Sequence, residues 1–141
     1  RQFPNQLFVV DHLAKPAISR GELQPWSDGL RDLARCENVY CKLSGMVTEA
    51  VWKHWRRGTF YPYLDVAVEA FGTDRVMIGS DWPVCTLSGS YAETMAIVRE
   101  YVACFSEIEQ ADILGSSAGR FYNLAPLPSE IRFELGRIGN H

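Results

Sequence analysis

Three apolar runs, each followed by a helical pattern, constrain this chain more than any other feature. They read QLFVVD at residues 6–11, NVYCKLSG at 38–45 and RVMIGS at 75–80. Apart from Lys42 they are apolar throughout rather than alternating, and they are bounded by polar residues. A strand that offers apolar side chains to both faces belongs in a sheet covered on both sides. Between the runs, Trp26, Leu30, Leu33 and Ala34 recur at helical spacing, with Ser27 as the expected N-cap of a helix over 26–35. Leu64, Ala67, Val68 and Phe71 do the same over 61–71, and Gly72 is the expected stop. After the third run, Met95, Val98, Val102 and Phe105 mark one face of a long helix over 91–105. A last helical pair is expected at 109–114 and 118–124. The order strand, helix, strand, helix, strand, helix implies parallel strands joined by helical crossovers.

The function classes that composition disfavours follow quickly. The chain has 141 residues, 47% hydrophobic and 22% charged, with a formal net charge of −3. That balance, with no block of like charge, argues against nucleic acid or an anionic membrane as partner. No apolar run approaches the ~20 residues of a membrane span, and no secretory leader pattern is present. The four cysteines, Cys36, Cys41, Cys85 and Cys104, form no CxxC pair. They read as reduced thiols of a cytosolic protein rather than as staples or a structural zinc site. Neither GxGxxG nor GxxxxGK[ST] follows a strand, and no GxSxG elbow occurs, so nucleotide binding and serine hydrolysis are disfavoured.

Each apolar run ends in residues able to do chemistry. The first ends Asp11-His12-Leu13-Ala14-Lys15-Pro16, the second carries Lys42 and ends Ser44-Gly45, and the third ends Ser80-Asp81-Trp82-Pro83. Ligands of parallel α/β folds bind outside the carboxyl ends of the strands, so the three clusters should converge on one rim. His12 is a candidate metal ligand or proton-transfer group. Asp81 is a candidate general base or metal-bound carboxylate. Lys42 is the stranger cation, because an ammonium in an apolar strand is costly unless paired, and an anionic or polar substrate would pair it. Trp52 and Trp55, with Arg56 and Arg57, mark a loop or short helix that could cover a substrate.

The segments VVDHLAKP (9–16), CKLSGMVTE (41–49), RVMIGSDWPV (75–84) and ILGSSAGRFYNL (113–124) resemble the amidohydrolase-related family of TIM-barrel hydrolases. The branch they are most similar to is the sugar-lactonase group. The resemblance implies an α/β fold, about three βα units from the C-terminal part of a (β/α)8 barrel over residues 1–124, while Pro126 and Pro128 predict an irregular tail over 125–141 before a weak helix near 130–135. It implies a hydrolase that opens a sugar lactone or similar small cyclic ester by water attack, with Asp81 moving the proton and His12 binding metal or polarising the carbonyl. Asp81 and His12 would be the metal ligands, and zinc the divalent ion. Lys15, Lys42 and Trp82 would bind substrate. A metal-dependent decarboxylase of the same superfamily and a non-catalytic half-barrel are the alternatives.

The chain departs from the family in two places. Ser116 or Ser117 stands where the closing motif usually has Asn, and the HxH of the family's first strand is absent. A whole barrel needs ~250 residues. The expected partner, besides a small-molecule lactone, is therefore the missing N-terminal half of the barrel or further copies of the chain. The sequence is expected to be a fragment of a longer reading frame, with a split product or a non-catalytic remnant as alternatives.

Overall fold

A computed structural model describes residues 3–125. Strands β1 (Phe8–Val10), β2 (Val39–Leu43) and β3 (Val76–Ile78) form a parallel sheet in the order β1-β2-β3. Val9 pairs with Tyr40, Cys41 with Val76, and Lys42 with Met77. Strand residues alternate between faces. One face presents Val39, Cys41, Leu43 and Val76, all buried, to helices α1 (Trp26–Ala34) and α2 (Tyr61–Phe71). The other face carries Tyr40, Lys42 and Met77. The last helix approaches it, with the Phe121 ring edge-on to Tyr40 at 5.1 Å and the Lys42 ammonium 5.9 Å from the Tyr122 ring.

Leu43, Leu64, Phe60 and Phe71 are completely or almost completely buried, and each such side chain contributes roughly 1.5–3 kcal/mol relative to exposure. Cys41 belongs to the same core. Burial, with the Asp11 carboxylate nearby, pushes its thiol up to about 12, so it stays protonated. All four cysteines are free thiols. No helix among the described residues is long and apolar enough to cross a membrane.

The helices follow the sequence pattern with local differences. α2 covers the expected residues and stops at Gly72, whose φ of +74° disfavours side-chain-bearing residues. α1 starts at Trp26, with Pro25 in the N-cap position. Ser27 therefore lies buried inside the first turn and is not the cap. α3 (Tyr91–Tyr101) opens on a capping box between Ser90 and Glu93, then tightens into a 3-10 turn at Val102–Cys104. α4 (Glu107–Ala111) starts two residues earlier than the apolar spacing suggests, because Ser106 and Glu109 form a second capping box. It runs through a π turn at Asp112–Ser116 into α5 (Ser117–Tyr122), so the expected helical pair is one bent rod. Ser117 is one of the two serines of the closing motif. It is fully buried and donates to the Thr73 and Asp74 carbonyls, tying the rod to the start of β3.

One strand departs from expectation. QLFVVD reads as buried on both faces, yet β1 is an edge strand with Phe8 exposed and Val9 and Val10 only partly covered. Its free edge has no neighbour among the described residues. The tail from Pro126 onward, including the expected helix near 130–135, lies outside the described residues.

Candidate active site

The carboxyl ends of the three strands meet at one rim. Just after β1 the chain enters a left-handed run: His12, Leu13, Ala14 and Lys15 have φ between +51° and +54°. Four non-glycine residues in that region are costly, at about 1–3 kcal/mol each, and persist only where surroundings hold them. Leu13 is fully buried, and the Trp26 indole donates to its carbonyl at 2.6 Å. Lys15 Nζ bonds Glu49 Oε1 at 2.9 Å. Asp81, after β3, also has a positive φ, +58°, and its carbonyl accepts from the Cys85 N–H at 2.8 Å.

These turns aim His12 and Asp81 at each other. His12 Nε2 lies 3.4 Å from Asp81 Oδ1 and 3.6 Å from Asp11 Oδ2, while Nδ1 lies 2.7 Å from Ser44 Oγ. The imidazole is one-quarter exposed and the Asp81 side chain 11% exposed, so both are sheltered but reachable. Lys42 reaches up from β2 to Asp11 Oδ1 at 3.2 Å. Burial opposes the Lys42 charge, but hydrogen bonds to Tyr122 and Asp11 outweigh it and raise the Lys42 pKa. Lys15 is likewise raised, by its hydrogen bond to Glu49 and that carboxylate's charge.

The rim thus joins His12, Asp81 and Lys42, with Lys15 held at its flank by Glu49. Trp82 stands beside Asp81 as a residue 66% exposed, open to line a ligand. The Trp52 to Arg57 segment is anchored as well as exposed. Trp55 donates to the Ser88 carbonyl and hydroxyl at 3.2 and 3.1 Å and packs edge-on against Phe60, whereas Trp52 is half-exposed. Arg57 pairs with Glu100 on α3, away from the rim. Chemically, a sheltered carboxylate facing an imidazole can take a proton from water, and the flanking ammonium groups favour anionic species.

Sequence reasoning named the cations without their partners. Asp11 pairs Lys42 and Glu49 pairs Lys15, while Ser44 meets His12, and only the positions of Asp11 and Ser44 at strand ends signalled it. A divalent metal does not fit these residues alone. A catalytic zinc takes about three protein donors, and no group of three acidic, cysteine or histidine side chains among the described residues is placed to hold one.

Comparison with known proteins agrees with this architecture. A family model described as amidohydrolase matches residues 1–124. An L-fucono-1,5-lactonase of Burkholderia multivorans is 40% identical over 134 residues, covering 88% of this chain and 45% of that protein. An L-fucono-1,5-lactonase of Burkholderia ambifaria is 34% identical over 128 residues, covering 88% and 44%. The crystal structure of an amidohydrolase from Burkholderia multivorans with bound zinc superposes at a TM-score of 0.81 and 39% identity, covering 88% of this chain and 46% of that one. The chain spans about half the length of the curated relatives it matches. With three parallel strands, a shared rim and a family match over nearly all the described residues, the chain belongs to the amidohydrolase family.

Proposed function

We propose that this chain is the C-terminal part of a (β/α)8-barrel hydrolase that opens a sugar lactone, with Asp81 as general base. The observation that carries the reading is the 3.4 Å approach of His12 Nε2 to Asp81 Oδ1 across the carboxyl ends of β1 and β3. The named lactonase relatives support the substrate class and favour it over decarboxylation.

In this mechanism Asp81 takes a proton from water as the water oxygen attacks the lactone carbonyl. The carbon–ring oxygen bond then breaks, and Asp81 returns the proton to the leaving alkoxide, giving the open hydroxy acid. The His12 N–H polarises the carbonyl oxygen. Lys15 and Lys42 hold hydroxyl or carboxylate oxygens, and Trp82 packs on the sugar face. The rest of the barrel, and the ligands of any divalent metal, come from chain beyond these residues or from a partner. The four free thiols suit a cytosolic setting.

The test is proton release from L-fucono-1,5-lactone by the full-length protein. Substituting Asp81→Asn should lower the rate by about 100-fold or more. Failure to open any aldonolactone, or a rate indifferent to that substitution, would sink the reading.

A further inference from the structure

Ser44 is 1% exposed, and its hydroxyl meets the face of His12 turned away from the carboxylates. Asp11 and Asp81 flank Nε2. Ionised carboxylates only accept hydrogen bonds, so they favour a proton on Nε2. Nδ1 of the neutral ring then offers a lone pair, and the serine hydroxyl 2.7 Å away supplies the donor. Neighbouring backbone holds both groups in place. A Cβ at Gly45 would lie 2.6 Å from His12 Cβ, and one at Gly79 would lie 3.0 Å from Ser44 Cβ. The imidazole is pressed against one glycine and the serine against the other.

We propose that Ser44 is a positioning residue that fixes the tautomer and ring orientation of His12, keeping the Nε2 proton aimed at Asp81 and the reacting carbonyl. Its catalytic consequence rests on the lactonase reading above, but its geometry does not. The carboxylates set the preference, and the hydroxyl locks it by pairing the opposite nitrogen.

Imidazole ¹⁵N spectra of the full-length protein decide the matter, and the signals lost in a His12→Gln variant are those of His12. At alkaline pH, His12 should show a protonated Nε2 and an unprotonated Nδ1. Ser44→Ala should shift the signals towards a tautomer mixture. A wild-type Nδ1 proton, or an unchanged pattern in Ser44→Ala, overturns the assignment. If Ser44→Ala does not fold, Ser44→Cys, of nearly the same size and a weak S–H donor, should show a smaller shift, and no shift overturns it equally.

In the full-length protein, Ser44→Ala should lower kcat about tenfold with KM unchanged, the order expected for removing a ligand's supporting hydrogen bond. Ser44→Cys should recover part of that loss. A Ser44-dependent tautomer in a protein that opens no lactone overturns the functional reading alone. A lactonase whose Ser44→Ala variant keeps the wild-type tautomer overturns only the role of Ser44.

Discussion

The two ends of the sheet use charge in opposite ways. At the amino end, the hydrogen bonds of Arg75 go to backbone carbonyls. Its guanidinium donates to the carbonyls of Ala34, Cys36 and Val39 at 3.1–3.2 Å and to that of Phe71 at 3.1 Å, and it packs 5.4 Å from the Phe71 ring. One cation ties the ends of α1 and α2 to the start of β2 and satisfies helix-end carbonyls that would otherwise lack partners. At the carboxyl end, Asp11, His12, Lys42 and Asp81 meet one another, part-exposed, with His12 and Asp81 on left-handed backbone that local sterics disfavour. The first arrangement holds the fold together, and the second keeps polar groups available for a ligand. Barrel enzymes show the same division between a stabilising bottom face and a reactive top face.

That division can be broken by experiment. The largest separation should come from pairing Asp81→Asn, which should abolish most lactone opening while leaving the melting temperature near wild type, with Arg75→Ala. Arg75→Ala should cost roughly 2–4 kcal/mol and lower Tm by several degrees, because several carbonyls lose a charged donor together. Thermal denaturation of both variants checks this, and an Arg75→Ala protein of unchanged Tm would erase the contrast.

Gly45→Ala should blur the two ends. The new methyl meets both a φ of +66° and the His12 side chain, so Tm should fall by an amount matching about 1–3 kcal/mol and activity should drop with it. Calorimetry alongside the lactone assay would show the joint loss.

The smallest effect should be at Lys15. Its partner Glu49 raises the Lys15 pKa, so the pair stabilises the fold below the ordinary lysine range and loses that contribution as pH rises through the higher folded value. Because Lys15 is more than half exposed, Lys15→Met should change stability by no more than ~1 kcal/mol. The difference from wild type should narrow at strongly alkaline pH, as denaturant titrations at neutral and high pH would reveal.

The parallel sheet was legible because three apolar runs alternate with helical spacing, and His12 and Asp81 because those runs break off in reactive side chains. The edge position of β1 was not. Residues 7–10 are as apolar as a central strand, and nothing local says which neighbours a sheet supplies. Ser27 misled as an N-cap because the cap preference is local, whereas Pro25 sets where the helix starts. The partners of the two lysines were hidden for a similar reason. Glu49 is 34 residues from Lys15 and Asp11 is 31 from Lys42, so only the register of the strands brings them together. The roles of Gly45 and Gly79 depend on contacts to His12 and Ser44 that no spacing rule reports.

The sheet order equals the chain order, and this has a consequence for synthesis. Phe8 pairs with Val39, 31 residues later, and Cys41 with Val76, 35 residues later. At about 5–20 residues per second on the ribosome, each strand waits roughly 2–7 seconds for the next one. β2 can then dock on β1 before β3 is made, so the sheet can grow by addition without rearrangement. Among the described strands β1, with Leu7 and Phe8 exposed, is made first, and the other two are added outward from it.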